Sequence, residues 1–191
     1  KTVKEVAKEI PVFNVIDPVI SYVAEKYKNT EANIGIIGTK ATIKSRSYEE
    51  KIKSLNSKII VSSLQTPLLA PMIEEGFFNE NISKAIINKY LSDKKLKNIT
   101  GLILACTHYP LIQKEIINYY HIRNTNKRKI HVIDSAKIIA KYIAQNIKKI
   151  NKSNKPEYKF YVSNYTKSFE ESAKLFFKEN IFLEEKNLFN D

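Results

Sequence analysis

Residues 101–110 constrain the fold of this chain more than any other part of the sequence. An apolar run leads directly into the only cysteine, Cys106, which is followed by Thr107, His108 and Pro110. Apolar runs bounded by turn residues are typical of buried parallel strands, and proline is tolerated in the first turn of a helix. The segment therefore predicts a strand, a turn and a helix. We expect its polar residues at the carboxyl edge of a sheet, where open α/β folds bind ligands.

Cys106 has two interpretations at this point. A free cysteine titrates at about 8.5, and a neighbouring helix N-terminus or imidazolium lowers that pKa, so we expect a thiolate to be accessible near neutral pH. A single cysteine at a strand end can also be a small buried hydrophobic residue. The choice between an acid/base role and a packing role depends on the residues around it.

Strand and helix patterns alternate along almost the whole chain. Asp17-Pro18 is expected to close the first strand, Gly76 to stop a helix, and Asp134-Ser135 to cap one. The predicted strands are residues 11–16, 33–38, 58–64, 101–105, 130–133 and 157–163. The predicted helices are residues 2–9, 19–27, 43–55, 68–75, 83–91, 136–150 and 167–179, and a further helical pattern begins after Pro110. This alternation predicts an α/β fold with parallel sheets.

The net charge of +12 over 191 residues would ordinarily favour a nucleic-acid partner. Here the lysines are spread along nearly every predicted helix, which indicates a compositional bias rather than a binding stripe. We therefore expect no nucleic-acid partner. The alternative, a nucleic-acid-binding protein, predicts an affinity that falls steeply with salt.

The remaining composition limits the cellular setting. One cysteine cannot form an intrachain disulfide, and no segment approaches the roughly 18 uninterrupted apolar residues of a membrane span. We expect no membrane partner and a cytoplasmic location.

Several other kinds of site lack support in the sequence. No GxGxxG or GxxxxGK[ST] phosphate-binding pattern occurs, and no CxxC or HExxH motif accompanies the three histidines. We therefore predict no metal site and interpret His121 and His131 as ordinary helix-end and strand residues. A Cys–His–Asp hydrolase is possible on residue content, but no G-x-S-x-G elbow supports it.

Three motifs, taken in order, resemble the second half of a glutamate racemase. They are Ile-Gly-Thr-Lys-Ala-Thr-Ile at 37–43, Pro-Met-Ile-Glu-Glu-Gly at 71–76 and Cys-Thr-His-Tyr-Pro at 106–110. Aspartate and hydantoin racemases share the cysteine, but the residues after it favour the glutamate branch. The resemblance implies two pseudo-symmetric α/β lobes with parallel sheets flanked by helices. It also implies two cysteines on opposite sides of the substrate α-carbon, which exchange its proton without cofactor or metal.

The resemblance assigns roles to individual residues. Cys106 is implied as one catalytic acid/base, with Thr107 and His108 contacting glutamate or tuning protonation. Glu74 matches the carboxylate that assists the second cysteine side, and Glu75 is the alternative in register. An amino-acid α-proton is weakly acidic, so such a base must be close and shielded from water.

Thr39 and Thr42 match threonines that line the family's substrate pocket. Each assigned residue also has a simpler interpretation: the two threonines can cap a helix, Glu74 can lie on a solvated face, and His108 can orient the turn. When these residues are considered together with the motif, we predict Cys106, His108 and Glu74 as catalytic residues. Substrate binding is assigned to Thr107, His108, Thr39 and Thr42.

The resemblance covers essentially the whole chain, but the chain lacks parts of the family pattern. The first residue is Lys1, and neither the Asp-Ser pair nor the Ala-Cys-Asn-Thr segment with the first cysteine occurs. We predict a fragment in which residues 19–130 form the second lobe, and residues 1–18 and 131–191 belong to an incomplete first lobe. Ala105 replaces a common glycine and Thr66 a common cysteine, and both changes are expected to be mild.

With one thiol, this chain alone is expected to be inactive or nearly so as a racemase. By resemblance, the full protein would supply D-glutamate for peptidoglycan and form a homodimer. The alternative is a non-catalytic remnant or a small-anion-binding module of the same fold.

Overall fold

A four-stranded parallel sheet forms the centre of the computed structural model, which describes residues 3–7, 11–77, 80–123, 130–147, 157–179 and 181–187. Its strands are β1 (Ala32–Gly38), β2 (Ile59–Gln65), β3 (Gly101–Ala105) and β4 (His131–Ile133). Their order across the sheet is β2–β1–β3–β4. Two further strands, β5 (Phe160–Val162) and β6 (Leu183–Glu185), pair in parallel as a separate sheet.

Helices connect the strands, as parallel pairing requires. They are α1 (Val3–Ala7), α2 (Asp17–Lys26), α3 (Lys40–Lys44), α4 (Ser47–Leu55), α5 (Leu69–Glu74), α6 (Asn81–Leu91), α7 (Gln113–Arg123), α8 (Ser135–Asn146) and α9 (Lys167–Phe177). Short 3₁₀ turns occupy Lys94–Leu96 and Tyr109–Ile112. The predicted α/β class with a parallel sheet flanked by helices is confirmed.

Each face of the main sheet is covered by its own apolar core. Side chains of α5, α6 and α7 pack on one face and those of α2 and α4 on the other, where α8 contributes partly buried residues. Successive residues of a strand alternate between these cores: Ile36 joins one and Ile37 the other. The central strands are buried on both faces, which explains why their sequences are continuous apolar runs.

The predicted strand at residues 11–16 is wrong, because this segment contains no strand in the structure. Asn14 Oδ1 accepts hydrogen bonds from the backbone N–H groups of Ile16 (3.0 Å) and Asp17 (2.8 Å). This local turn leads directly into α2, so Asp17 and Pro18 begin a helix instead of closing a strand.

The predicted single helix at residues 43–55 is also wrong. Arg46 adopts a left-handed conformation with φ 53°, which separates α3 from α4. The Ser45 hydroxyl accepts from the Ser47 backbone N–H at 3.3 Å, a local bond that competes with helix continuation. α3 itself begins earlier than predicted because Thr39 caps it, accepting from the Thr42 N–H at 3.3 Å.

Other predicted boundaries are confirmed. Gly76 follows α5 with φ +75°, and Asp134 caps α8 by accepting from the Lys137 N–H at 3.1 Å. Residues 148–150 of the predicted last turn of that helix lie outside the described residues, as do residues 124–129 and 151–156. Within the described ranges, no helix combines the length and apolar character needed to cross a membrane.

Candidate active site

Three chain segments leave the main sheet together at its carboxyl edge. Gly38, the last residue of β1, lies opposite Ala105 of β3 and Gln65 of β2 in the parallel register. Thr39 and Cys106 are therefore side by side, each one residue beyond a paired strand. A methyl group on Gly38 would lie 3.1 Å from the Ala105 carbonyl oxygen, so glycine permits this close approach.

One imidazole connects the thiol to a carboxylate. Cys106 Sγ lies 3.7 Å from His108 Nδ1, and Thr107 Oγ1 lies 3.3 Å from the same nitrogen. His108 Nε2 lies 2.9 Å from Glu74 Oε1. The structure thus brings together the three residues predicted as catalytic. The carboxylate within hydrogen-bonding distance of the imidazole is that of Glu74, the residue preferred over Glu75.

The geometry indicates how protons are arranged along this line. An ionised carboxylate only accepts hydrogen bonds, so Nε2 carries the hydrogen that points to Glu74. In a neutral imidazole, Nδ1 of His108 is then an acceptor for the Cys106 thiol or the Thr107 hydroxyl. Exposed fractions of 25% for the His108 side chain and 50% for Glu74 mean that their interaction mainly orients the ring.

Burial raises the pKa of the Cys106 thiol above its ordinary value, and the nearby Glu74 carboxylate acts in the same direction. The backbone N–H groups of His108 and Tyr109 lower the pKa but do not offset burial. The expectation that the turn lowers the pKa of this thiol is therefore wrong. Loss of water around the sulfur has more effect than the hydrogen-bond donors of the turn.

Thr39 and Thr42 lie at the end of the neighbouring strand, with their hydroxyl oxygens 3.0 Å apart. Thr39 caps α3, as its simpler interpretation proposed. The hydrogen bond between the two hydroxyls uses one of their two protons, which leaves the other for a further acceptor. Capping and ligand binding are thus compatible at this position.

A cavity of about 680 Å³ borders the line of catalytic candidates. Glu74, Thr107 and His108 lie on one side, and side chains of β5, β6 and α9 line the other. The Phe176 ring packs edge-on against His108 with centroids 5.2 Å apart, and the Ser172 hydroxyl donates to the Glu74 backbone carbonyl at 3.0 Å.

Neither Phe176 nor Ser172 of α9 was predicted as a site residue from the sequence. The only sequence signal near them was the amphipathic pattern of the last helix, which does not indicate what that helix packs against. His121 and His131 lie on α7 and β4, away from the cavity lining, as predicted. Across the described ranges, no group of three or more His, Cys, Asp or Glu side chains could hold a metal ion.

The site thus consists of a cysteine, a histidine and a carboxylate at the carboxyl edge of a parallel α/β sheet. Residues 1–143 match the family model described as Asp/Glu/Hydantoin racemase, so the chain belongs to that family. The resemblance recognised in the sequence is confirmed at this level.

Glutamate racemases are among the relatives within this family. The glutamate racemase of Persephonella marina is 34% identical over 180 residues, covering 94% of this chain and 65% of the relative. That of Aquifex aeolicus is 39% identical over 138 residues, covering 72% and 50%. The chain thus spans between one half and two thirds of the length of these relatives.

Solved structures show the same likeness. The crystal structure of glutamate racemase from Francisella tularensis in complex with D-glutamate matches with a TM-score of 0.77 and 34% identity, over 96% of this chain and 66% of that one. A glutamate racemase isoform from Bacillus anthracis matches with a TM-score of 0.80 and 26% identity, over 96% and 67%.

Proposed function

We propose that this chain carries one of the two proton-transfer sites of a cofactor-independent glutamate racemase. Cys106 acts as the acid/base on one face of the substrate α-carbon. The observation that carries the proposal is the line from the Cys106 thiol through His108 to Glu74 at the sheet edge. The similarity to glutamate racemases along most of the chain, one of them solved with D-glutamate, supports glutamate as the substrate.

The reaction needs a thiolate only at the moment of proton transfer. His108 Nδ1, an acceptor when Nε2–H points to Glu74, is placed to take the thiol proton. The thiolate then removes the α-proton of glutamate, forming S–H and a carbanion at the α-carbon. Once the S–H has exchanged its hydrogen with solvent, return of a proton from the same sulfur replaces the α-hydrogen without inverting the centre.

Complete inversion requires a second acid/base on the opposite face of the α-carbon. Cys106 is the only cysteine among these 191 residues, so within them no second thiol can perform that step. The chain by itself is therefore proposed to catalyse exchange on one face, with racemisation little or absent.

Hydroxyl groups beside Cys106 suit the anionic substrate. The free proton of the Thr39–Thr42 pair and the Thr107 hydroxyl are proposed to donate to the glutamate carboxylates. The lobe assignment, with residues 19–130 as the second lobe, belongs to this proposal, and the pairing of β4 with β3 extends that lobe beyond residue 130. The homodimer, the cytoplasmic location and the supply of D-glutamate for peptidoglycan belong to the proposal as well.

The test is α-proton exchange of D- and L-glutamate in deuterated water, followed by NMR. We expect deuterium to enter one enantiomer with the parent chain and not with Cys106→Ala. His108→Gln should slow the exchange, whereas His121→Gln, on the exposed side of α7, should leave it unchanged.

Exchange that survives Cys106→Ala would overturn the assignment of Cys106. A folded parent chain that binds glutamate without exchange would instead support the alternative, a small-anion-binding module of the same fold.

A further inference from the structure

Tyr109 takes part in a chain of buried hydrogen bonds that joins three strand ends. Its phenol oxygen lies 2.7 Å from Thr66 Oγ1, and the Thr66 hydroxyl lies 3.2 Å from the Gly38 carbonyl oxygen. Both Tyr109 and Thr66 are 0% exposed. We call this arrangement the Tyr109–Thr66–Gly38 relay. It connects the turn after β3 to the ends of β2 and β1.

The available protons allow two arrangements of the relay. When the Thr66 hydroxyl donates to the Gly38 carbonyl, it accepts from Tyr109; when it donates to the phenol oxygen, the phenol donates to the Thr66 carbonyl. The phenol also lies 3.2 Å from the Thr66 carbonyl, a second acceptor on the same residue. Burial raises the pKa of Tyr109 far above its usual range, so the phenol keeps the proton that it donates.

The other end of Tyr109 reaches the catalytic candidate. Its backbone N–H donates to the Cys106 carbonyl at 3.3 Å, closing the turn. The same N–H group favours the thiolate form of Cys106. Because the phenol is fixed to β2, the position of this N–H relative to the sulfur depends on the relay.

We propose that Tyr109 and Thr66 are positioning residues that hold the Cys106 thiol in place relative to Thr39, which follows Gly38. This inference rests on the proposed function, since it assigns the geometry of the same site. It also gives a role to Thr66, a polar residue that is fully buried. Neither residue needs to touch the substrate for this role.

The test measures alkylation of Cys106 by iodoacetamide across pH, which reports on one site because the chain has one cysteine. In Tyr109→Phe and Thr66→Val we expect the pH midpoint to rise, because the N–H group moves away from the sulfur. At neutral pH the rate should fall roughly threefold, in step with the thiolate fraction. The double variant should match either single variant, because both changes break one relay.

Two matched controls separate positioning from general loosening of the core. Tyr120 is also a buried tyrosine of the same core, and among the described residues its hydroxyl has no hydrogen-bond partner. Tyr120→Phe should leave the alkylation profile unchanged. Thr66→Ser keeps the hydroxyl and should restore the parent profile. Circular dichroism establishes that each variant is folded, and Thr66→Val decides alone if Tyr109→Phe does not fold.

A Tyr109→Phe or Thr66→Val profile that coincides with the parent would overturn the proposal. So would an equal shift in Tyr120→Phe. In the exchange assay, the relay variants should lower the rate at saturating glutamate about tenfold, with half-saturation changed less than about twofold. A parent chain without Cys106-dependent exchange would contradict the proposed function, while the alkylation profiles would still decide the positioning role.

Discussion

At the scale of single residues, the site combines a weakly acidic thiol, that of Cys106, with a hydrogen-bond acceptor held in place, Nδ1 of His108. Burial raises the pKa of the Cys106 thiol, and His108 presents Nδ1 to it because Glu74 holds Nε2. The site therefore depends on geometry rather than on a permanently ionised cysteine.

The raised pKa of Cys106 leads to a direct prediction. Its alkylation rate should keep increasing with pH beyond about 8.5, the ordinary value for a free thiol, because burial disfavours the thiolate. The measurement is the iodoacetamide rate constant from pH 6 to 10. The control is the same chain unfolded in guanidinium, whose midpoint should be lower. A folded midpoint at or below the unfolded one would contradict this account.

The two adjacent glutamates make a matched pair for a second prediction. Glu74→Gln should slow α-proton exchange about tenfold, because the amide no longer holds His108 as a carboxylate does. Glu75→Gln, one residue further along the chain, should change the rate less than about twofold. Equal effects of the two changes, measured by NMR in deuterated water, would show that Glu74 has no special role.

At the scale of elements, helix ends decide where the functional side chains lie. α5 ends at Glu74, and Gly76 then turns the chain with φ +75°. A methyl group on Gly76 would meet nothing within 4 Å, so the glycine is needed for its backbone conformation alone.

Gly76→Ala should therefore lower the free energy of unfolding by about 1 kcal/mol through backbone strain, without a steric clash. Gly76→Asn should cost less, because asparagine tolerates the left-handed region. Urea denaturation of the three proteins is the measurement. An alanine variant as stable as the parent would mean that the turn relaxes to another conformation.

The sequence predicted elements well where one local signal dominated. The apolar runs of β1 and β3, Gly76 after α5 and Asp134 before α8 all have local physical causes, and each was predicted correctly. Predictions failed where a side-chain oxygen accepts a hydrogen bond from a nearby backbone N–H group, as at Asn14 and Ser45.

The site was predictable only in part, for a related reason. Cys106 and His108 are two residues apart, so their proximity follows from one turn. The contact of Tyr109 with Thr66 spans 43 residues, and no periodicity in the sequence encodes it. Phe176 reaches His108 from α9, and an amphipathic pattern does not say which surface the helix covers.

At the scale of the whole molecule, elements attached to both parallel sheets border the candidate site. α9 lies between β5 and β6 in the chain and contacts α5 through Ser172. The cavity beside His108 is thus bounded by both sheet regions.

Buried tyrosines make the stability of the molecule sensitive to alkali. Burial raises the pKa of Tyr109 and Tyr120 above the ordinary value near 10, and those of Tyr27 and Tyr48 also rise. Above about pH 10 the unfolded chain releases phenol protons that the folded chain retains, so the free energy of unfolding falls as pH increases.

Tyr120→Phe should reduce this slope by up to about 1.4 kcal/mol per pH unit, since one titrating group is removed. Near pH 7 the same change should be close to neutral, because the Tyr120 hydroxyl lacks a hydrogen-bond partner among the described residues. Guanidinium denaturation at pH 8 to 11 measures both effects. A parallel slope in the parent and the variant would contradict the prediction.

The burial of Cys106 also bears on chemical durability. The thiolate is the nucleophile that attacks peroxides and disulfide reagents, so a thiol whose pKa is raised by burial oxidises slowly at neutral pH. Sulfenic acid formation should accordingly be slower in the folded chain than in the unfolded one. The desolvation that makes Cys106 a weak acid thus also protects the one thiol of this sequence from oxidative damage.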